Sequence, residues 1–166
     1  MTIYFYKVCD TYGCFSNFSP HPIEMDGIPW ATVEHYYQAQ KFVGSVDEGV
    51  IPLIYAAKTP EQAAALGRSS IRTLRPDWDI VKTQVMQLAV YQKFFTHPDI
   101  REVLLSTKEH LLVEDSPCDY FWGCGADKNG QNHLGKILMY VRSELQNLLE
   151  NHSYESISFC KTHKLK

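Results

Sequence analysis

Residues 30–42, WATVEHYYQAQKF, hold a carboxylate, a histidine, two amides, two phenols and a lysine within a little over three helical turns. At the helical repeat of about 100° per residue, Glu34, Tyr37, Gln38 and Lys41 share one stripe. A carboxylate there can move a proton, and an amine can serve as a cation or, once deprotonated, as a nucleophile. The same spacing also suits the solvated face of a short amphipathic helix, with Glu34 near the N-terminus complementing the helix dipole. His35, Ala39 and Phe42 form an adjacent stripe expected to pack inward.

Two further stretches carry suitable groups. In VEDSPCDYFWGCG, Glu114, Asp115 and Asp119 lie close to Trp122 and two glycines, a combination that suits stacking a planar ring and placing a carboxylate against it. An acidic surface turn with the indole dipping into the core fits the same residues. In GCFSNFSP, Ser16, Asn17 and Ser19 alternate with phenylalanines, offering hydroxyls and an amide to a sugar or phosphate, or simply making a turn. Arg68 and Arg142 are candidate phosphate clamps or structural ion-pair partners, with Lys82 and His133 weaker candidates. The GCG of residues 123–125 opens no dinucleotide-binding helix, and the chain has no G-x-S-x-G elbow, Walker loop or H-E-x-x-H. Its five cysteines show no disulfide framework and no C-x-x-C pair, and Cys118, Cys124 and His133 make only a loose trio without ligand spacing or a fourth partner, so no metal is expected; no cofactor is expected either.

These residues must be held by elements, and the periodicity supplies them. IYFYK reads as a strand, and Asp-Gly inside PIEMDGIPW marks a tight hairpin. Thr32 is an N-cap for the helix carrying Glu34 and Lys41. In TPEQAAALG, Thr59 is the cap, Pro60 the first helical residue, Gln62 the capping-box partner and Gly67 the stop. Trp78, Val81, Val85, Leu88 and Phe95 repeat at helical spacing, as do Leu134, Leu138, Val141, Leu145 and Leu148, so both sets predict core helices. HPDIREVLLST reads as a short helix, and HLLVE as a strand entering the loop with Asp119 and Trp122. The expected fold is α+β, a mainly helical single domain over residues 1–149 with a small β-sheet. Residues 150–166 lose the helical period and turn basic, which predicts a poorly ordered tail.

The chain of 166 residues is long enough for one core. With 45% hydrophobic residues, 21% charged residues and a net charge of −3, it gives no electrostatic argument for gripping a phosphate backbone. With neither a signal peptide nor a stretch of about 18 apolar residues, the reading is cytoplasmic with no membrane association. Oligomeric state is not legible in the sequence.

Taken in order, FSNFSP, W-x-x-x-EHYYQAQKF, GR, DW-x-x-x-K-x-x-VM, LVEDSPCDYFWGCG and GQNHLGKILMYVR closely resemble the NADAR family of YbiA-like proteins, from about Ile3 to Leu149. The resemblance implies N-glycosidase activity. Family members include enzymes that cleave the ribosylamine bond of early riboflavin-pathway intermediates, and others that remove ADP-ribose from guanine bases. In both substrates the ribose C1 is joined to an exocyclic ring amine, so the bond can open to an imine. Carried onto this chain, the resemblance makes Lys41 the candidate nucleophile, Glu34 a proton shuttle, and Asp119 or Glu114 the carboxylate that steadies charge at C1 or assists the leaving amine. A direct hydrolysis, in which a carboxylate activates water and Lys41 binds phosphate, is the other route. Ser16, Asn17, Trp30, His35 and Gln38 would line the sugar and base side, Trp122 would be the stacking wall, and Arg68 with the amides around Gly123 and Asn132 would meet phosphate. The expected partner is a small phosphorylated ribosylamine. An ADP-ribose-type substrate is the alternative, with nucleic acid involved only if modified guanine is the target. A non-catalytic module that binds ADP-ribose or NAD-derived metabolites is the third reading.

Overall fold

The structure is a computed structural model that describes the backbone of residues 1–162 and the side chains of residues 1–151. Strand β1 (Thr2–Phe5) alternates outward Thr2 and Tyr4 with buried Ile3 and Phe5, the period-two pattern of a half-buried strand. It pairs in parallel with β4 (Leu111–Glu114), Ile3 facing Leu112 and Phe5 facing Glu114. The second sheet is separate: β2 (Ile23–Met25) and β3 (Ile28–Trp30) form an antiparallel hairpin. Its turn residues Asp26 and Gly27 both take positive φ, 53° and 76°, as a type I′ turn requires.

Helix α1 (Val33–Gln40) starts where its cap predicts, with the His35 N–H donating to Thr32 Oγ1 at 3.3 Å. It is not amphipathic. Every residue from Val33 to Ala39 is buried, because α1 packs against α2 (Ile51–Tyr55), α3 (Pro60–Gly67), α4 (Trp78–Thr96) and β3. A helix enclosed on all sides must satisfy each polar group internally or around a cavity. In α3 the Gln62 N–H donates to Thr59 Oγ1, while the Gln62 side chain accepts from the N–H of Lys58. The predicted capping box therefore closes one residue early.

The buried face of α4 corrects the predicted stripe. Trp78 and Val85 are buried as expected, but Leu88 and Phe95 are half exposed, and the inner face continues through Met86, Ala89, Val90, Lys93 and Phe94. The face includes a lysine that no hydrophobic count would select. Helix α5 (Pro98–Ser106) and β4 lie where predicted, and α6 (His133–Thr162) backs α4 and β4 with the fully buried Leu134, Leu138 and Val141. Truncating Leu134 or Leu138 to alanine should cost about 2–5 kcal/mol, read from the shift of the denaturant midpoint. Because α6 reaches Thr162, the backbone stays helical beyond Leu149, where the period fades. Of the expected tail, residues 150–166, the backbone is described to Thr162 and the side chains to Asn151; the rest lies outside the described residues. Among the described residues no helix is long and apolar enough to cross a membrane.

Candidate active site

A cavity of about 210 Å³ opens where α1, the end of α3, the Ser16–Phe18 loop and the start of the Asp115–Asn132 loop converge. Helix α1 supplies Glu34, Tyr37, Gln38 and Lys41, so the predicted stripe does face one space. Glu34 is 3% exposed; its Oε1 accepts from Gln38 Nε2 at 2.8 Å and from the Arg68 guanidinium at 3.4 Å. The Arg68 side chain is 62% exposed, which puts a free face of the guanidinium at the mouth. Lys41, just past the end of α1, donates to the carbonyl of Gly67 at 3.3 Å and lies 5.5 Å from the centroid of Tyr37. Gly67 is required by close approach: a Cβ there would overlap the Gln38 amide.

The opposite wall comes from the acidic loop. The N–H groups of Phe121 and Trp122 donate to Asp119 Oδ1 at 2.9 and 2.7 Å, so the carboxylate and the indole are set by the same turn. Trp122 meets Tyr37 edge to face at 5.5 Å. Glu114, the last residue of β4, also lines the cavity, and its buried Oε2 has no partner among the described residues.

Burial and mutual repulsion set the protonation states. Desolvation pulls the Lys41 amine down to about 8; the Glu34 charge opposes the shift, while the Arg68 and Lys82 charges add to it. Desolvation, joined by the charges of Asp119 and Glu34, pushes the Glu114 carboxyl up to about 8, against Arg68. Glu34 is also raised, chiefly by burial, with its Gln38 hydrogen bond and the Arg68 charge in opposition. The site therefore combines an amine that loses its proton readily and a carboxyl that keeps its own near neutrality, the division of labour that acid and base chemistry needs.

Not every predicted residue is here. Of those named from the sequence, Lys41, Glu34, Asp119, Glu114, Ser16, Asn17, Gln38, Arg68 and Trp122 line the cavity, and Trp30, His35, Gly123 and Asn132 do not. Trp30 is buried among Tyr36 and Tyr55. His35 bridges Thr32 Oγ1 at 2.9 Å and the carbonyl of Ala57 at 3.1 Å; a carbonyl only accepts, so Nε2 carries the proton. Asn132 donates to the Leu112 carbonyl and accepts from the Glu114 N–H, and a Cβ at Gly123 would crowd the Glu114 carbonyl, so both shape the loop rather than face the cavity. Arg142 is buried against Thr107 and the carbonyl of His110. Conversely, Tyr37, Phe18 and Met86 line the cavity without having been chosen. Tyr37 sat on the Glu34–Lys41 stripe and was legible there; Met86 closes the DW-x-x-x-K-x-x-VM motif, but a methionine on an apolar helix face reads as core.

The chain is thus an α+β domain with an amine and carboxyls enclosed in one polar cavity. Residues 4–146 match the NADAR domain family. The chain is 70% identical over 149 residues to an N-glycosidase of Nostoc punctiforme, covering 90% of this chain and 96% of that protein. It is 44% identical over 143 residues to the N-glycosidase YbiA of Escherichia coli K12, covering 86% and 88% respectively. The NMR structure of E. coli YbiA aligns with a TM-score of 0.79 at 43% identity, over 87% of this chain and 84% of that one. A chloroplastic riboflavin biosynthesis protein, PYRR, of Zea mays is 47% identical over 156 residues, which span 86% of this chain and 25% of the maize protein. The chain belongs to the NADAR domain family.

Proposed function

We propose that this protein is an N-glycosidase that hydrolyses the bond between C1 of a phosphorylated ribose and the exocyclic amine of a heteroaromatic ring, giving ribose 5-phosphate and the free amine. One observation carries the reading: Lys41 and Glu114, each shifted to about 8, line one cavity with Glu34, Asp119 and Trp122. The names of the bacterial N-glycosidase relatives support the reaction type, and those of the riboflavin biosynthesis relatives support the substrate class.

These groups and one water molecule carry the reaction. The exocyclic nitrogen lone pair opens the furanose: C1–O4′ breaks, O4′ takes the Glu114 proton, and a C1 iminium forms beside the negative charge of Asp119. The free amine of Lys41 adds to C1. Glu34 carries a proton from the lysine nitrogen to the exocyclic nitrogen, the C1–N bond breaks with its electron pair on the departing ring amine, and a Lys41–C1 Schiff base remains. Water adds to C1, returning a proton to Glu114, and collapse of the carbinolamine frees Lys41 and the open-chain sugar phosphate. Trp122 stacks the ring, Ser16 and Asn17 meet the sugar, Gln38 orients Glu34, and the exposed face of Arg68 receives the phosphate.

The small cavity, the net charge of −3 and the single exposed guanidinium at its mouth favour a small molecule over ADP-ribosylated guanine in nucleic acid. The test is incubation with a phosphorylated ribosylaminopyrimidine, and in parallel with an ADP-ribosylated guanine oligonucleotide. Equimolar ribose 5-phosphate and aminopyrimidine are expected from the first. No release at high enzyme concentration would overturn the reading, and release only from the second would transfer it to the other substrate.

A further inference from the structure

We propose that Lys93 is a positioning residue for this pocket, its amine holding the Ser16 carbonyl and thereby fixing the wall formed by Ser16 and Asn17. The inference rests on the N-glycosidase reading of the cavity. Lys93 lies on the inner face of α4, 1% exposed, with Nζ 2.9 Å from the Ser16 oxygen and 5.2 Å from the Phe94 centroid. No carboxylate among the described residues forms an ion pair with it. A buried amine without a counter-charge costs stability, and an apolar side chain would fill the same space, so stability alone gives no reason for an amine here.

What the amine does is local. Met86 precedes Lys93 by two helical turns on the same face, and its sulfur accepts from Asn17 Nδ2 at 3.2 Å. Adjacent residues of the loop are thus pinned to α4 at two points, Ser16 by its carbonyl and Asn17 by its amide. Beyond them, the Asn17 carbonyl accepts the backbone N–H of Glu34 at 3.1 Å, so the tie from α4 runs through the loop into the first turn of α1. Both Ser16 and Asn17 line the cavity. Displacing the loop therefore moves sugar-contacting groups and loosens the Glu34 backbone N–H, while the Glu34 carboxylate keeps its own ties to Gln38 and Arg68 and, among the described residues, no bond of this loop holds Lys41, Glu114 or Asp119.

The experiment compares wild type with Lys93→Met, which keeps the length of the stem and removes the donor, and Lys93→Gln, which keeps an N–H donor one atom shorter. Amide hydrogen exchange is read without substrate, and KM and kcat with a phosphorylated ribosylaminopyrimidine. In Lys93→Met the amides of Ser19 and Glu34 are expected to exchange at least tenfold faster, with those of β1 and α6 within about twofold. KM should rise about tenfold and kcat fall less than threefold, with Lys93→Gln recovering a substantial part of both effects. Unchanged exchange at Glu34, a uniform rise across the whole fold, or equal defects in the two variants would overturn the proposal. If Lys93→Met does not fold, Lys93→Gln decides by the same local exchange, which must exceed that of wild type at Ser19 and Glu34 alone. An inactive wild type with the exchange difference intact would count against the glycosidase reading and leave the tie to Ser16 standing.

Discussion

Lys41 acts as a nucleophile only as the free amine, and Glu114 acts as an acid only while it holds its proton, so the two set opposite limits on pH. With both near 8, kcat/KM should climb as pH approaches 8 and Lys41 loses its proton, then fall above it as Glu114 loses its own. The result is a bell centred near pH 8 whose two apparent pKa values belong to the interacting set rather than to single residues. Glu114→Gln should lower kcat by roughly a hundredfold or more and abolish the alkaline limb, as a pH series of initial rates would reveal. A variant that keeps that limb would assign the acid to another group.

At the scale of elements, the pocket depends on how closely α3 approaches α1. Gly67→Ala would drive a methyl group into the Gln38 amide, which holds Glu34. Overpacking of this kind costs about 1–3 kcal/mol, less the gain of up to about 1 kcal/mol from exchanging helical glycine for alanine. The melting temperature should fall by a few degrees and kcat by more than that loss alone explains, as calorimetry and kinetics on one preparation would show. The caps of α1 and α3 and the Asp-Gly hairpin were legible in the sequence because each signal lies within a few residues of the feature it sets. The two-sheet arrangement was not, since the parallel pairing of β1 with β4 joins segments more than 100 residues apart. The inner face of α4 was misread because Lys93 interrupts its apolar period; Trp30 and His35 came to the pocket only with the family motif, whereas the spacing of His35 had already set it on the stripe that packs inward, against Ala57.

For the molecule as a whole, the buried ionisable groups make stability depend on pH. Lys93 and Lys41 are pulled down to about 7 and about 8 from 10.5, so the unfolded chain binds more protons between those values and 10.5. Stability from these groups is complete above about 10.5 and is lost as pH falls toward 7. Glu114, raised from 4.5 to about 8, acts in the opposite sense: its contribution is complete below 4.5 and is lost as pH rises to 8. These three groups together place a minimum of stability near pH 7–8. Lys93→Met should therefore melt higher than wild type at pH 7, by roughly 1–4 kcal/mol or about 2–4 °C for each, with the advantage shrinking toward pH 10 in a calorimetric series. The central step of the proposed reaction is a covalent bond between Lys41 and the sugar. Borohydride added during turnover of a phosphorylated ribosylaminopyrimidine, followed by peptide mass mapping, tests it directly. A reduced pentose-phosphate adduct on Lys41, absent from Lys41→Ala, is expected. Undiminished sugar release with no adduct, or an adduct that persists in Lys41→Ala, would contradict it.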